Sequence, residues 1–371
     1  MDAAAAADAV YMRRALRLAR RGRGRVAPNP MVGCVLVRDG RVVGEGWHQV
    51  YGGPHAEVEA LRAAGEAARG ATAYVTLEPC NHWGKTPPCT EALLAAGVSR
   101  VVCAVRDPFP AAAGGAERLR AAGVPVDVGV LAEAGRELNA AFLFAATGAG
   151  RPWVTLKVAL SLDGAVADHT RGPGWLTGPE SRRAVHRLRA ASDAVAVGIG
   201  TALADDPALT VRDVATPRVP PLRVVFDRAA RLPLGGALAR TAREVPVAVV
   251  CAPSASGERV RALEAAGVRI VLADELAAGL VALRRDHGVR ALLVEGGARL
   301  SGALWAADLV DRLVIFRAPV VLGAGSVRAF EGAPDVRAEA ARRLPVVRAR
   351  WYGTDRMTVY GVHAVPGAPE A

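Results

Sequence analysis

The chain has 371 residues, a length that suggests two or three domains at about 150 residues each. Hydrophobic residues make up 51% of the sequence and charged residues 22%, a composition that builds full cores and excludes a long disordered chain. No run reaches the roughly 18 uninterrupted apolar residues of a membrane-spanning helix, and the net charge of +11 raises the question of a nucleic-acid partner.

The positive charge does not form a nucleic-acid-binding pattern. The arginines are spread along the chain, with no basic tail and no interleaved aromatic residues. Only Lys85 and Lys157 are lysines among the 47 Lys and Arg residues, which indicates a compositional bias toward arginine. Both lysines lie in candidate motifs, where a compact charge with an adjustable pKa does what arginine cannot.

The N terminus and the cysteines predict a cytoplasmic protein. Residues 1–10 contain acids and lack the basic n-region of a secretory signal, and an amphipathic helix ending at Gly22 explains the arginine-rich stretch 13–25. Five scattered cysteines argue against a disulfide framework. Cys34, Cys103 and Cys251 lie in apolar runs and are predicted to be buried structural thiols.

The first half is predicted to alternate strands and helices. Residues 31–37 and 41–47 are β-rich runs joined by Asp39-Gly40, a strong hairpin signal. The pattern is that of an α/β layered fold with a hairpin at one edge. Further strands are predicted at 73–77, 100–106 and 124–130, and helices at 55–69, 89–96 and 117–122.

A small, turn-rich stretch at 145–152 separates the halves, so we predict domains at residues 1–147 and 151–371. The second half alternates in the same way and is also predicted to be α/β. Its predicted strands are 153–160, 194–198, 222–226, 245–251, 268–272, 291–294 and 313–321, and its predicted helices are 179–189, 257–266, 275–286 and 299–306.

His55, Glu57, Cys80 and Cys89 form the most informative motif. Three protein ligands leave the fourth position of a tetrahedral zinc open for water, whereas a structural site closes with four. Glu57 is then free to move protons between that water, a ring nitrogen and leaving ammonia. The generic signature H-x-E with P-C-x-x-C fits only in its first half, because the cysteines here are eight residues apart instead of two.

The three candidate ligands are predicted to begin helices, where the positive end of the helix dipole lowers the pKa of a thiol. A structural zinc site is the alternative. It requires a fourth ligand, and the candidates His48 and His82 lack an obvious ligand spacing.

The residues around the motif resemble a known family. Pro-Asn-Pro-Met-Val-Gly at 28–33, Gly-Trp-His at 46–48 and the run at 78–89 are similar to the deaminase domain of the bifunctional riboflavin-biosynthesis deaminase–reductases, in which an insert ending Thr-Pro-Pro-Cys separates the cysteines. The resemblance implies a cytidine-deaminase-like α/β/α domain. In it His55, Cys80 and Cys89 would bind Zn²⁺, Glu57 would be the proton shuttle, and the pyrimidine and ribose-phosphate pocket would be lined by Asn29, His48, His82 and Lys85.

Four later segments resemble the reductase domain of the same family, so the resemblance spans residues 8–330. They are 157–164, 174–177, 197–212 and the Gly-Gly turn within 294–302, which is not a G-x-G-x-x-G fingerprint. The resemblance implies a dihydrofolate-reductase-like α/β domain that uses NADPH. NADPH would contact Ala159, Trp175, Thr201, Asp205, Gly297, Ala298, Arg299, Leu300, Ser301, Gly302 and Ala303, and the substrate would be held by Arg189, Leu209, Arg212 and Glu295.

Further candidates in the reductase half are Lys157, which starts the strand leading into the site, and Asp205, as a charged partner in the reaction. The chain departs from the family where Pro173, which has no N–H, replaces a phosphate-binding serine. We hypothesise that Arg171 takes over this contact as a charged donor. Arg228 is a candidate partner for the 2′-phosphate of the cofactor.

The sequence therefore predicts a bifunctional riboflavin-pathway enzyme. It would deaminate 2,5-diamino-6-ribosylamino-4(3H)-pyrimidinone 5′-phosphate and then reduce the ribosyl group to ribityl with NADPH. We expect a small phosphorylated pyrimidine as partner, no nucleic acid, no membrane, and a homo-oligomer (dimer or tetramer). The alternatives are a tRNA or other nucleotide deaminase with an accessory reductase-like domain, and a scaffold in which zinc is structural.

Overall fold

The computed structural model describes residues 3–170, 172 and 174–367. The chain divides into two compact units, Met1–Gly148 with Val365–Ala371, and Ala149–Ala364. The predicted second domain, 151–371, runs past this boundary, because residues 365–367 group with the first unit. In that unit the Gly367 carbonyl accepts a hydrogen bond of 3.2 Å from Arg136 Nη1. Across the described ranges, every helix is too short or too polar to cross a membrane.

The first unit is built on a five-stranded sheet. Its strands are β1 (Gly33–Arg38), β2 (Arg41–Trp47), β3 (Thr72–Val75), β4 (Arg100–Cys103) and β5 (Val126–Val128). Its helices are α1 (Ala3–Ala19), α2 (Ala56–Ala64), α3 (Cys89–Ala95), α4 (Gly115–Ala121), α5 (Ala132–Leu138) and α6 (Ala140–Ala146), with 3₁₀ turns at Arg20–Gly22 and Gly65–Ala68. The strand order is β2-β1-β3-β4-β5. β1 pairs antiparallel with both neighbours, and the later pairs are parallel.

The predicted hairpin between β1 and β2 is confirmed. Asp39 and Gly40 both adopt left-handed backbone angles, with φ of 53° and 71°, as a two-residue turn that matches the strand twist requires. Gly46 then lets β2 lie close to α2, because a Cβ there would be 2.3 Å from the carbonyl oxygen of Ala56. This contact places the first turn of α2, which carries Glu57, directly beside the sheet.

Strand β1 shows that both faces of this sheet are covered. Cys34 and Leu36 lie in a buried cluster with residues of α2 and α3, and Val35 and Val37 lie in a second cluster with residues of α1. Successive side chains of a strand point to opposite faces, so a strand buried on both sides reads as a continuous apolar run. The predicted α/β/α layering is confirmed.

The second unit contains a nine-stranded sheet and a two-stranded one. Its strands are β6 (Trp153–Leu160), β7 (Ala165–Ala167), β8 (Ala194–Gly198), β9 (Leu222–Phe226), β10 (Val247–Cys251), β11 (Arg269–Leu272), β12 (Ala291–Glu295), β13 (Arg312–Arg317), β14 (Val327–Arg328), β15 (Val346–Tyr352) and β16 (Asp355–Gly361). Its helices are α7 (Pro179–Arg189), α8 (Ile199–Asp205), α9 (Ala237–Arg240), α10 (Gly257–Ala265), α11 (Leu276–His287) and α12 (Ala298–Ala306).

The order of the large sheet is β11-β10-β9-β8-β12-β6-β13-β16-β15, while β7 pairs with β14. β6 comes first in sequence but lies in the interior, between β12 and β13, and it is parallel to both. The carboxyl ends of β6, β8, β9 and β12 therefore meet at one edge. In open α/β sheets, ligands bind outside this edge.

Several elements differ from the sequence prediction. α5, α6, α8, β15 and β16 were not predicted. The expected strand at 313–321 ends at Arg317, because Pro319 has no N–H to donate to a neighbouring strand. β16 pairs antiparallel with β13, and β15 pairs with β16. β16 and β15 thus extend the large sheet beyond β13. The extension depends on which strands pair, and local sequence patterns do not encode that.

Candidate active sites

His55, Cys80 and Cys89 are brought together in the first unit. Their ligand atoms all lie within 4.8 Å of one another, and among the described residues they form the group of His, Cys, Asp or Glu side chains that could hold a metal ion. His55 Nδ1 is 3.3 Å from Cys89 Sγ and 3.5 Å from Cys80 Sγ. One imidazole and two thiols are a donor set that suits zinc.

Two of these three residues begin helices as predicted, and the prediction for Cys80 is wrong. His55 caps the N terminus of α2 in an extended conformation, and Cys89 is the first residue of α3. Cys80 lies in an irregular loop, because its backbone bonds to distant segments and not along a helix: the Cys80 carbonyl accepts from the N–H of Thr90 at 3.3 Å, and the next N–H, of Asn81, donates to the carbonyl of Ala112 at 3.1 Å. The α3 backbone still reaches Cys80, since the N–H of Cys89 lies 3.5 Å from its Sγ.

The two thiols have different acidities. Hydrogen bonds from Cys89 and His55 lower the pKa of Cys80 to about 4, although burial opposes this shift. The interaction with Cys80, followed by burial, raises the pKa of Cys89 well above its ordinary value. The pair therefore loses its first proton readily, and zinc binding would release the second, because a metal-bound cysteine is a thiolate.

Glu57 is the second residue of α2, and only 3% of its surface is exposed. Burial raises the pKa of its carboxyl group to about 7, with Cys80 adding to the shift and His55 opposing it. A carboxyl group with a pKa near neutrality can accept a proton and return it.

Asn29 and His48 are joined beside the cluster. His48 Nδ1 lies 3.0 Å from the carbonyl of Pro54, so this nitrogen carries the proton and donates it. Nε2 then accepts from Asn29 Nδ2 at 3.2 Å. The His48 ring meets the His55 ring edge-on, with 5.4 Å between centroids.

His82 and Lys85 lie on the loop that connects Cys80 to Cys89. Lys85 Nζ lies 4.2 Å from the centroid of the Tyr51 ring, a cation–π contact. The buried Nδ1 of His82 has no hydrogen-bond partner within the described chain. The same loop carries Thr86, which sequence reasoning missed, with its Oγ1 3.5 Å from His55 Nε2.

Sequence reasoning also missed Glu78 and Asp107. Glu78 is 3% exposed and accepts from the backbone N–H groups of Asp107 at 3.1 Å and Ala116 at 2.8 Å. Burial raises the pKa of Asp107 to about 6, with Glu78 and Cys80 contributing and His82 opposing. Both acids follow parallel strands at their carboxyl ends, a position that was available as a signal.

A cavity of about 1700 Å³ lies at the carboxyl edge of the large sheet in the second unit. Sites for one small ligand typically have roughly 300–1,000 Å³, so this cavity has room for a dinucleotide and a second molecule. Most of the predicted reductase residues line it: Lys157, Ala159, Trp175, Arg189, Thr201, Asp205, Leu209, Arg212, Arg228, Glu295, Gly297, Ala298, Arg299, Leu300 and Ala303.

Two residues of the predicted cofactor turn do not line the cavity. Ser301 is fully buried, and its Oγ has no hydrogen-bond partner in the part of the chain described. A Cβ on Gly302 would lie 2.1 Å from the carbonyl oxygen of Glu331. Both therefore support the turn from its inner side. Arg171, and Pro173 beside it, lie outside the described residues.

Glu295 is a half-buried acid in the wall of the cavity. Arg189 holds its carboxylate with two hydrogen bonds, Nε to Oε1 at 2.5 Å and Nη2 to Oε2 at 2.9 Å. Burial opposes ionisation, yet Arg189 and then Lys157 outweigh it and lower the pKa of Glu295. Burial likewise lowers the pKa of Lys157 and raises that of Asp205.

Helix α7 contributes two polar cavity residues that sequence reasoning missed, Arg182 and His186. They precede Arg189 by seven and three positions, so all three lie on one face of the helix. The Arg182 guanidinium lies 5.1 Å from the centroid of the Trp175 ring. Helical periodicity counted back from Arg189 could have predicted that Arg182 and His186 lie on the same face.

Two family models match the chain. The first, described as the cytidine and deoxycytidylate deaminase zinc-binding region, covers residues 6–105. The second, the RibD C-terminal domain, covers residues 152–356. A zinc-binding deaminase region followed by a reductase domain implies Zn²⁺ and NADPH as cofactors.

Relatives match across both halves. The riboflavin biosynthesis protein RibD of Aquifex aeolicus is 41% identical over 345 residues, which cover 91% of this chain and 96% of the relative. That of Escherichia coli is 44% identical over 332 residues, or 85% of this chain and 89% of the relative. A nucleic-acid deaminase with an accessory domain is therefore not favoured.

Solved structures agree in fold. Acinetobacter baumannii RibD superposes with a TM-score of 0.81 at 39% identity, covering 96% of this chain and 99% of the other. The diaminohydroxyphosphoribosylaminopyrimidine deaminase/5-amino-6-(5-phosphoribosylamino)uracil reductase of Thermotoga maritima gives 0.82 at 34% identity, with the same coverage. The chain belongs to the RibD family, the bifunctional deaminase–reductases of riboflavin biosynthesis.

Proposed function

We propose that residues 1–147 hydrolyse the 2-amino group of 2,5-diamino-6-ribosylamino-4(3H)-pyrimidinone 5′-phosphate, and that residues 151–371 then reduce the ribosyl group of the product to a ribityl chain. The observation that carries the first step is the buried carboxyl group of Glu57 beside His55, Cys80 and Cys89. The Thermotoga maritima relative bears the names of both activities.

His55, Cys80 and Cys89 would hold the zinc ion, with His55 using Nδ1, the nitrogen that faces both sulfurs. When bound, zinc supplies the Lewis acid that makes water a nucleophile near neutral pH. The candidate fourth ligands of a structural site, His48 and His82, do not belong to the group of ligand atoms found among the described residues. An open position favours a catalytic role.

Glu57 would carry the protons of the deamination. Its carboxylate would take a proton as water adds to the ring carbon and pass it to the ring nitrogen. It would then take a second proton from the added hydroxyl group and give it to the leaving amine. A carbonyl replaces the C–NH₂ group and ammonia departs. The pKa of about 7 suits both directions of transfer, since neither the acid nor its base is scarce at neutral pH.

Four residues would bind the pyrimidine and its ribose phosphate. His48 takes one amide hydrogen of Asn29, so Asn29 Oδ1 remains available to accept from an N–H on the edge of the base. Lys85 supplies a compact positive charge for the phosphate. We assign His82 to the same pocket, because its buried Nδ1 lacks a partner among the described residues.

The cavity of the second unit would hold cofactor and substrate together. Gly297 caps α12, and a Cβ there would lie 2.8 Å from Thr201 Oγ1, so glycine lets this turn pack closely against α8. The backbone amides at the start of α12 would bind a phosphate of the cofactor. When bound, NADPH supplies the hydride for C1 of the ribosyl group. The acceptor is either an imine or the opened aldehyde.

On the substrate side, Arg189, Leu209, Arg212 and Glu295 would orient the ribosyl phosphate. Lys157 would donate the proton that accompanies ring opening, because burial lowers its pKa and makes the proton easier to release. Arg171 would contact the phosphate of the substrate, and Arg228 would contact the 2′-phosphate of NADPH.

We also propose a cytoplasmic homo-oligomer, dimer or tetramer, that does not act on nucleic acid. The five cysteines are free and buried, which supports a reducing compartment. The dispersed arginines support a small-molecule substrate. Sedimentation equilibrium on the purified chain measures the oligomeric state, and a monomer at micromolar concentration would reject this part of the proposal.

A coupled assay tests the proposed function. The wild-type protein should release ammonia from the diaminopyrimidine phosphate and consume NADPH only after its own product has formed. A Glu57→Ala variant should keep zinc, lose ammonia release and still reduce substrate that has already been deaminated. Deamination of tRNA, but not of the free nucleotide, would favour the nucleic-acid alternative. The absence of both activities would favour a scaffold.

A further inference from the structure

The loop at 206–213, between α8 and β9, has a strained backbone. Asp206, Leu209 and Asp213 adopt left-handed φ angles of 39°, 50° and 58°. Residues with a Cβ rarely adopt this conformation and keep it only where surrounding contacts enforce it. Leu209 and Arg212 of this loop line the cavity, so the strain lies where substrate would bind.

Two contacts hold the first half of the loop. The Asp206 carboxylate accepts from the N–H of Ala237, the first residue of α9, at 2.7 Å. Arg223 on β9, which is 1% exposed, donates Nη1 to the carbonyl of Ala208 at 3.2 Å. Both partners belong to regular elements, so they fix the position of the loop backbone.

Helix α7 holds the second half at two points. Arg189 donates Nη1 to the carbonyl of Thr210 at 2.9 Å, and the N–H of Arg212 donates to His186 Nδ1 at 3.1 Å. Arg189 is always charged and always a donor. The contact with His186 differs, because it exists only while Nδ1 carries no proton.

The bond to Arg212 fixes the tautomer of His186. A neutral imidazole that accepts at Nδ1 carries its hydrogen on Nε2, and an imidazolium carries hydrogens on both nitrogens. Protonation would therefore place an N–H of the ring opposite the N–H of Arg212. The acceptor would be lost and the loop would lose its attachment on this side.

The surroundings of His186 favour the neutral ring. Its charged neighbours are Arg189 on the same helix, Arg212 and Asp213 on the loop, and Glu295 on β12. Burial, then Arg189 and Arg212, lower the pKa of the imidazole, and Glu295 and Asp213 oppose them. The ring is 8% exposed and lines the cavity.

We propose that His186 is a positioning residue of the reductase site, whose neutral ring holds the 206–213 loop so that Arg212 faces the phosphorylated substrate. This inference rests on the proposed function, because it takes Arg212 as a substrate contact. It adds a pH-sensitive attachment: acidification would weaken substrate binding by releasing the loop, while the hydride-transfer machinery stays intact.

The test compares His186→Ala with His186→Asn, using pre-deaminated substrate and NADPH. Asparagine presents Oδ1 on Cγ, where histidine presents Nδ1, so it can accept from Arg212 and cannot titrate. At neutral pH, His186→Ala should raise the reductase KM for substrate up to roughly tenfold, the effect of one lost hydrogen bond, with kcat changed less than twofold. His186→Asn should restore KM to within about threefold of wild type.

The pH profile separates positioning from packing. The wild-type KM should rise more steeply than that of His186→Asn as the pH falls below about 6.5, the ordinary histidine value, because the surroundings hold the pKa of His186 below it. The substrate phosphate also titrates near pH 6. Because asparagine does not titrate, the pH dependence of KM in His186→Asn comes from this phosphate and not from residue 186. Equal profiles for the two proteins, or an unchanged KM in His186→Ala, would overturn the proposal.

The two activities of one chain provide the control. Each variant should deaminate at the wild-type rate and unfold at the wild-type temperature within a few degrees, since His186 lies in the second unit. A fall in both activities would mean general misfolding and would reject a positioning role. A wild-type protein that reduces no substrate would contradict the proposed function itself, whatever the variants do.

Discussion

Lys157 on β6 and Glu295 on β12 are register partners in neighbouring parallel strands. Paired residues of adjacent strands project from the same face of a sheet, and both of these line the cavity of the second unit. Arg189 holds the carboxylate of Glu295 with two hydrogen bonds. A half-buried lysine is thus held beside a carboxylate whose charge is already shared with a guanidinium, which leaves the lysine proton available for transfer.

Replacing Lys157 should therefore disable reduction without affecting deamination. We expect Lys157→Met to lower the reductase kcat by about 10²–10⁴-fold, the usual range for loss of a general acid. Lys157→Arg should not restore it, because arginine keeps its proton. The measurement is NADPH oxidation with pre-deaminated substrate, with ammonia release as the control. A wild-type kcat in the methionine variant would show that Lys157 is not the general acid.

Loss of either thiol of the cluster should abolish zinc binding. We expect Cys80→Ser and Cys89→Ser to contain far less than one zinc per chain by metal analysis, and to lose ammonia release. Cys34→Ala is the matched control, because Cys34 is a buried thiol of the same unit outside the cluster. Chelation of wild-type protein should likewise stop deamination and leave reduction intact. Full zinc content in either serine variant would contradict the assignment.

Arg228 should contribute to the choice of cofactor. Its guanidinium donates to the carbonyl of Asp274 at 3.0 Å, which holds it at the cavity wall. Losing a charged hydrogen bond to the 2′-phosphate costs about 1.5–3 kcal/mol, so Arg228→Ala should weaken the preference for NADPH over NADH by roughly 10–100-fold. Arg231→Ala, at a cavity residue paired with Asp227, should leave it nearly unchanged. An unaltered preference in Arg228→Ala argues for another 2′-phosphate contact.

The ion pair of Asp8 should make the first unit sensitive to acid. Asp8 on α1 accepts from Arg100 Nη1 and Nη2 at 3.0 and 2.8 Å and from the Tyr74 hydroxyl at 2.7 Å. The hydrogen bonds from Arg100, against the effect of burial, lower the pKa of Asp8 below its ordinary value. A carboxyl group with a lowered folded-state pKa stabilises the fold above its unfolded-state pKa, and the contribution is lost as the pH falls through the folded-state value.

We therefore expect Asp8→Asn to reduce the free energy of unfolding of the first unit by about 1–2 kcal/mol at neutral pH. The difference from wild type should shrink as the pH falls below about 4. Asp127→Asn is the control, because Asp127 binds the same arginine but has 54% of its side chain exposed. Exposed pairs contribute little. Urea unfolding at several pH values measures the free energy of unfolding of both variants. If the difference between Asp8→Asn and wild type did not depend on pH, the proposed role of Asp8 would be refuted.

Much of the site could be predicted from the sequence because its signals are local. The spacing of His55, Glu57, Cys80 and Cys89 defined a metal-binding motif before any fold was known, and the structure brings its three ligand atoms together. The helix containing Arg189 begins and ends at the predicted residues. The environment of each group was not predictable in this way: the pKa of Glu57 depends on complete burial between segments that are distant in sequence.

Local patterns suffice to predict the alternation of strands and helices, the Asp39-Gly40 hairpin and the identity of the candidate ligands, because backbone preference and side-chain chemistry act over a few residues. Strand pairing and packing are what place β6 beside β12, Lys157 beside Glu295, and His186 against the backbone of Arg212. These relationships depend on which strands pair and which faces are buried. That choice is made by the free energy of the whole fold, so no local segment contains it.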